Sequence, residues 1–157
     1  MVIKLIVVGR TVAEYLQTGE REYLTRLSHY CRLEMTVIPE LKNAKNLSEN
    51  QIKETEGELI QKLLSPSDHV VLLDENGKLQ SSEKFATHLQ SIANRGVKNL
   101  CFIVGGAYGF SEAMYRRANE KISLSPMTFS HQMVRTIFLE QLYRAHTILA
   151  GQPYHHK

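Results

Sequence analysis

The chain has 157 residues, of which 43% are hydrophobic and 22% are charged, and this composition predicts one globular domain whose core needs no metal or disulfide. It lacks a run of about eighteen apolar residues, and its two cysteines suggest neither a disulfide framework nor a metal cluster, which argues against a membrane-spanning or disulfide-rich protein. We therefore expect a reduced, cytoplasmic protein. A formal net charge of +3 permits a nucleic-acid partner without requiring one, because the basic residues are scattered.

Apolar strand patterns alternate with helical patterns along the chain. The first strand is almost continuously apolar and β-branched, and no small-residue cleavage site follows it, so a buried parallel strand fits better than a signal peptide. In order, the predicted elements are strand 2–9, helix 11–30, strand 33–41, helix 48–64, strand 69–74, helix 81–94, strand 100–106, helix 111–120, strand 122–125 and a last helix from Ser130 or His131. This order predicts an α/β fold with a parallel-dominated sheet of five to six strands and helices on both faces, in a single domain over 1–157.

Local signals support several of these boundaries. Ser48 followed by Gln51 is a capping box, and Ser111 is a helix cap. The sequence ENGK at 75–78 predicts a sharp turn at the carboxyl end of the third strand.

Two loops that follow apolar strands predict a ligand site. The run CFIVGGAYGF at 101–110 opens onto three glycines, and LSPMTFSHQ at 124–132 leads into the last helix. In open α/β sheets, ligands bind beyond the carboxyl ends of the strands. The glycine spacing is not that of a dinucleotide site, and Phe129 stands where a ribose-binding acid would be needed.

The glycines alone also fit a tight strand-to-helix turn without a ligand. The second loop favours a binding site, because Ser125 before Pro126 is extended and few charged side chains lie nearby. With LLDENGK after the neighbouring strand, three loops rich in backbone groups would suit a planar, hydrogen-bonding ligand such as a purine base. We expect binding mainly through backbone groups of 73–78, 105–110 and 124–129.

The motifs LDENGK, IVGGAYGF, LSPMTFSHQMVR and LEQLYRAHTILAGQPYHHK resemble the ribosomal RNA large-subunit methyltransferase H family. The resemblance covers essentially the whole chain. It implies the SPOUT class of S-adenosylmethionine-dependent methyltransferases, a C-terminal trefoil knot and a homodimer. It further implies methylation of N3 of a pseudouridine in large-subunit rRNA of assembled ribosomes, with no metal and no membrane.

The resemblance also implies which residues bind S-adenosylmethionine. They lie in the loops described above and are Leu73, Gly105, Leu124, Ser125, Pro126, Met127, Thr128 and Phe129.

The imide N3–H must lose its proton, so a base or an electrostatic helper is expected. The candidates are Arg144, Tyr154 and His155 in the last segment. By itself the tail could be a frayed terminus or a tag remnant, but the family also ends in Pro-Tyr-His. His131, at the start of the last helix, fits either a capping group or a further candidate for this helper.

The last helix carries an apolar stripe that fits either the core or a dimer seam. Its members are Val134, Phe138, Leu142, Ala145 and Leu149. Because few later elements follow to cover the stripe, we expect a homodimer in which Tyr154 and His155 point away from their own helix. These two residues would complete the site of the partner.

Two other functions remain open at this point. The first is a non-catalytic ribosome- or RNA-binding module that uses the same surfaces without a cofactor. The second is a nucleotide-binding oxidoreductase, which the glycine spacing disfavours.

Overall fold

The computed structural model describes residues 1–156; Lys157, the last residue of the predicted domain, lies outside that range. Within this range the chain forms five β-strands, five α-helices and one short 3₁₀ helix, which spans Ala44–Asn46. The main elements are β1 (Val2–Val8), α1 (Glu14–Leu27), β2 (Arg32–Ile38), α2 (Glu49–Gln61), β3 (His69–Leu79), α3 (Ser82–Asn94), β4 (Asn99–Val104), α4 (Glu112–Arg117), β5 (Glu120–Ser123) and α5 (Met133–Leu149).

All five strands pair in parallel, in the order β2-β1-β4-β3-β5. One hydrophobic cluster joins the sheet to Leu27 of α1, Leu89 of α3 and Phe138 of α5, and a second joins it to Ile60 of α2 and Met114 of α4. The predicted α/β sheet with helices on both faces is therefore confirmed. No helix within residues 1–156 combines the length and the apolar character needed to cross a membrane.

The predicted helix caps are confirmed. Ser48 Oγ accepts a hydrogen bond from Gln51 N at 3.1 Å, and Gln51 Oε1 accepts one from Ser48 N at 2.9 Å, as in a capping box. Ser111 caps α4 through Met114 N. These short-range bonds are set by residues three apart, which is why the sequence predicts them well.

Several predicted boundaries differ from the structure by one to three residues, and three of the differences lie near the last two strands and helices. The helix expected to reach residue 120 ends at Arg117, because the extended backbone of Ala118 brings Asn119 into hydrogen-bonding contact with Val70 of β3. Glu120 therefore starts β5, two residues earlier than predicted. The last helix begins at Met133 rather than at residue 130 or 131.

The apolar stripe of α5 packs inward. Phe138, Leu142 and Ala145 are fully buried, because α5 lies between α1 and α3 on one face of the sheet. Leu149, at the end of the stripe, is 40% exposed. The stripe is thus core over most of its length, and its interpretation as a dimer seam is wrong.

The segment 75–78 is an irregularity inside β3 rather than a turn at its end. Leu73 and Lys78 both pair with Ile122 of β5, so the residues between them leave the ladder and β3 then resumes to Leu79. A Cβ atom on Gly77 would lie 2.6 Å from the carbonyl carbon of Ile122. Glycine at this position allows the two strands to approach.

We expect Gly77→Ala to destabilise the protein by about 3 kcal/mol, the upper part of the range for overpacking, because the new Cβ meets backbone that cannot rotate away. Urea unfolding would measure the loss as a lower midpoint. Gly19→Ala is a matched control, since its Cβ would meet only the Thr136 side chain. Equal midpoints for the Gly77 variant and the wild type would contradict the prediction.

Candidate functional site

A cavity of about 490 Å³ opens at the carboxyl ends of β4 and β5, beside the irregular part of β3. Three segments form most of its wall: residues 73–76 within β3, residues 104–110, and residues 124–131 except Pro126. The two loops singled out in the sequence therefore meet in space, as expected for the carboxyl edge of a parallel sheet, and the third predicted segment joins them although β3 continues beyond it.

The predicted cofactor residues fall on this wall with one exception. Leu73, Gly105, Leu124, Ser125, Met127, Thr128 and Phe129 line the cavity. Pro126 does not line it, because it lies in a local turn closed by a hydrogen bond from Met127 N to Ser125 Oγ at 3.0 Å. That these residues bind a cofactor stays a prediction.

Hydrogen bonds tie the segment 73–76 to α4 and to the loop after β5. The Tyr115 hydroxyl donates to the Asp74 carboxylate, and the Thr128 hydroxyl donates to Glu75. Burial and the bond to Asp74 raise the pKa of Tyr115, so this hydroxyl keeps its proton at neutral pH and acts as a donor.

The charge of the cavity wall differs from expectation. Few charged side chains were expected, yet Asp74 and Glu75 both line the cavity, and no lysine or arginine among residues 1–156 does. A wall with two carboxylates suits a ligand that carries a positive group.

The glycine turn is both tight and part of the cavity wall. Gly109 adopts the left-handed φ of 83° and donates its N–H to the carbonyl of Gly106 at 3.1 Å. A Cβ on Gly105 would lie 3.2 Å from the Gly109 carbonyl oxygen. The turn interpretation and the binding-site interpretation of these glycines therefore do not exclude each other.

His131 lines the cavity and does not cap α5. The N-cap residue is Gln132, which makes no side-chain capping bond. Burial and the nearby Arg135 lower the pKa of His131, so its imidazole is neutral at pH 7. The capping interpretation is wrong.

Arg135 joins the start of α5 to the end of β1. Its guanidinium is fully buried and donates to the carbonyl oxygens of Val8 at 2.6 Å, Gly9 at 2.8 Å and His131 at 3.1 Å. These bonds fix the cavity residue His131 relative to the sheet. The sequence offered no signal for this role, since an arginine in a helix is normally solvated.

The three predicted catalytic residues lie together in a second group, the tail cluster, which also contains Glu140 and Glu83. Arg144 Nη1 contacts His155 Nδ1 at 3.1 Å, the Tyr154 hydroxyl donates to Glu140 Oε1 at 3.0 Å, and His155 Nε2 contacts Glu83 Oε1 at 3.1 Å.

The tail therefore turns back along its own α5, contrary to the expectation that it points away. Gly151, with a φ of 69°, reverses the chain just after the helix. The N–H of Gln152 closes the reversal by donating to the Thr147 carbonyl at 2.9 Å.

The bonding pattern sets the protonation of the tail cluster. Arginine only donates, so His155 Nδ1 accepts and its Nε2 carries the proton that faces Glu83. Burial and the bond to Glu140 are among the causes that raise the pKa of Tyr154, which stays protonated. Sequence reasoning missed Glu140, although its spacing of four from Arg144 on a helix is a pairing signal.

The tail cluster and the cavity are separate within one chain. None of Arg144, Tyr154 and His155 lines the cavity, whereas seven of the eight cofactor candidates do. A reaction that uses both groups needs either a movement of the tail or a second copy of the chain.

Known proteins resemble this chain along its whole length. The family model described as "Predicted SPOUT methyltransferase" matches residues 1–155. A Parabacteroides distasonis protein named "Ribosomal RNA large subunit methyltransferase H" is 59% identical over the full length of both chains. A Flavobacterium johnsoniae protein of the same name is 56% identical, again over the full length of both.

A solved structure has the same fold. The crystal structure of a probable methyltransferase from Bordetella pertussis Tohama I superposes with a TM-score of 0.53, covering 91% of this chain and 95% of that chain, at 10% identity. At this identity the likeness concerns the fold alone. The family model and the full-length relatives show that the chain belongs to the SPOUT methyltransferase family.

Proposed function

We propose that the protein is a methyltransferase that uses S-adenosylmethionine to methylate N3 of a pseudouridine in large-subunit rRNA. The observation that carries this proposal is the identity of 59% over the full length of a protein named for methylation of large-subunit rRNA. We further propose that it acts in the cytoplasm, on assembled ribosomes and as a homodimer. The trefoil knot implied by the resemblance stays a prediction.

The cavity has features that fit the methyl donor. Its glycine turn and its Ser125–Thr128 segment offer backbone groups to an adenine ring, and Leu73 with Phe129 offers apolar surface. Asp74 and Glu75 suit the positive charge of a sulfonium or an ammonium. When bound, S-adenosylmethionine would supply an electrophilic methyl carbon.

The chain's own residues then have two tasks. The loops hold donor and acceptor in line, which is the main requirement of a displacement at carbon. The tail cluster orients the base and assists loss of the N3 proton: the Arg144 guanidinium supplies positive charge, and the Tyr154 hydroxyl, which gives its proton to Glu140, offers its oxygen as an acceptor. Glu140 positions both side chains, because it accepts from each of them.

The homodimer is supported by the separation of the two groups. Since Arg144, Tyr154 and His155 lie outside the cavity of their own chain, a partner subunit is the simplest source of a complete site.

Mass spectrometry of rRNA tests the proposed function. Deletion of the gene is expected to remove one methyl group from a pseudouridine of large-subunit rRNA, and expression of this chain is expected to restore it. Unchanged rRNA in the deletion strain would contradict the proposal.

Isothermal titration with S-adenosylmethionine separates the enzyme from a non-catalytic RNA-binding module, because only the enzyme binds the donor.

We predict high activity on ribosomal particles and low activity on protein-free rRNA. A net charge of +3 supplies few phosphate contacts, and each contact contributes a salt-sensitive share of affinity. Methyl transfer from radiolabelled donor at physiological salt would compare 70S particles, 50S particles and a short rRNA hairpin. Efficient methylation of the hairpin would refute this prediction.

A further inference from the structure

A buried carboxyl group lies directly behind the cavity wall. Glu56 on α2 is 8% exposed, and its Oε1 has no hydrogen-bond partner among residues 1–156. Both carboxyl oxygens lie 2.7 Å from the position that a Cβ on Gly106 would occupy. Gly106 lines the cavity, so one residue without a side chain separates Glu56 from a bound ligand.

The neighbourhood leaves this carboxyl without a counter-charge. The pKa of Glu56 is raised by burial and by Glu40, and Glu56 forms no ion pair within residues 1–156. Glu40 lies beside Gly9 at the end of β1, where its Oε1 would be 2.9 Å from a Cβ on that glycine. The nearby Arg135 gives its N–H groups to backbone carbonyls and to Thr11, and makes no bond to either glutamate.

Glu56 and Glu40 lie beside a part of the sheet edge where ligands commonly bind. β1 and β4 are neighbours, but the chain leaves β1 toward β2 on one side and leaves β4 toward β5 on the other. Such a reversal opens a crevice at the carboxyl ends of the two strands. Gly9 and Gly106 follow these two strands, and each lies against one glutamate of the pair.

We propose that Glu56, with Glu40 beside it, favours a positively charged group of the ligand in the adjacent cavity. The inference rests on the proposed function, in which the ligand is S-adenosylmethionine. That molecule offers two cationic groups, a sulfonium and an ammonium. An unpaired carboxyl in a poorly hydrated position acts on such a group more strongly than a solvated one. The competing explanation is that Glu56 only supports the shape of the glycine turn.

Isothermal titration with three ligands separates these explanations. S-adenosylmethionine carries both cationic groups, S-adenosylhomocysteine carries only the ammonium, and methylthioadenosine carries neither. Glu56→Gln preserves the shape of the side chain and removes its charge. We expect this variant to bind S-adenosylmethionine roughly tenfold more weakly and methylthioadenosine as well as the wild type does. Glu54→Gln, on an exposed position of the same helix, is the matched control and should change neither affinity.

The affinity of Glu56→Gln for S-adenosylhomocysteine shows which cationic group of the ligand Glu56 favours. A parallel loss for S-adenosylhomocysteine identifies the ammonium as the group that Glu56 favours, and an unchanged affinity identifies the sulfonium. An equal loss for all three ligands, or no loss for any, overturns the inference and leaves Glu56 a structural role.

Two safeguards keep the test decisive. If Glu56→Gln fails to fold, Glu56→Ala, which removes the charge without burying an amide, is expected to show the same ligand selectivity, and its absence there would overturn the inference. Failure of the wild type to bind S-adenosylmethionine would instead refute the proposed function, and the inference with it.

Discussion

Valine at position 105 is expected to abolish binding of S-adenosylmethionine. A Cβ on Gly105 would lie 3.2 Å from the Gly109 carbonyl oxygen and 3.3 Å from the Phe110 ring, which is already tight. The two methyl groups of valine would force the glycine turn open. Overpacking of this kind costs about 3 kcal/mol at the upper end. Because the ligand needs the closed turn, binding would have to restore that conformation, and the same cost then corresponds to roughly a hundredfold in affinity.

The physical reason differs from the one that the sequence suggests. From sequence, the valine side chain would be expected to fill the space of the ligand. In the structure, the Cβ direction of Gly105 leads into the turn itself, toward Gly109 and Phe110. The loss of binding is therefore expected to come from distortion of the cavity wall.

Isothermal titration and urea unfolding together check this prediction. Gly105→Ala is the graded control, because a single methyl group needs a shift of only a few tenths of an ångström and should weaken binding less than valine does. A valine variant that unfolds at the wild-type urea concentration and binds S-adenosylmethionine normally would place the donor site elsewhere.

The order of strands and helices could be predicted from the sequence because its signals are local. The Ser48–Gln51 box and the Ser111 cap act over three residues, and the buried strands are continuous apolar runs. The irregularity in β3 could not be predicted. It depends on the pairing of Leu73 and Lys78 with the same residue of β5, about fifty residues further along the chain.

The loops of the candidate site could be predicted from the sequence, whereas the residues brought to it by packing could not. The loops after β4 and β5 follow apolar strands, so their meeting at one edge follows from the parallel topology. Glu56 gave no such signal, because only the packing of α2 brings it behind Gly106. The course of the tail was also hidden, since the reversal at Gly151 places Tyr154 beside Glu140 rather than beyond the helix.

The structure changes the argument for a shared active site. Two sequence-based reasons are wrong, because the stripe on α5 is mostly core and the tail turns back on its own helix. A new reason replaces them. Tyr154 and His155 form an ordered cluster with Arg144 outside the cavity of their own chain, so under the proposed function each chain would contribute two half-sites.

Mixing two defective subunits is therefore expected to restore activity. One subunit carries Gly105→Val and keeps its tail; the other carries His155→Ala and keeps its cavity. If tails act on the partner's cavity, a mixed dimer contains one complete site and one doubly defective site. Its activity should be about half that of the wild-type dimer, whereas each parent alone should be inactive.

A second mixture serves as the control, because the shared-site arrangement predicts the opposite result for it. A subunit that carries both Gly105→Val and His155→Ala is combined with the wild type. Under the shared-site arrangement each site of that mixed dimer has one defective half, so its activity is lost. If each tail instead serves its own cavity, the wild-type subunit keeps about half of the dimer's activity and the first mixture recovers nothing. Native mass spectrometry of differently tagged subunits would establish exchange in both mixtures, so that recovery and loss can be assigned to the mixed dimers themselves.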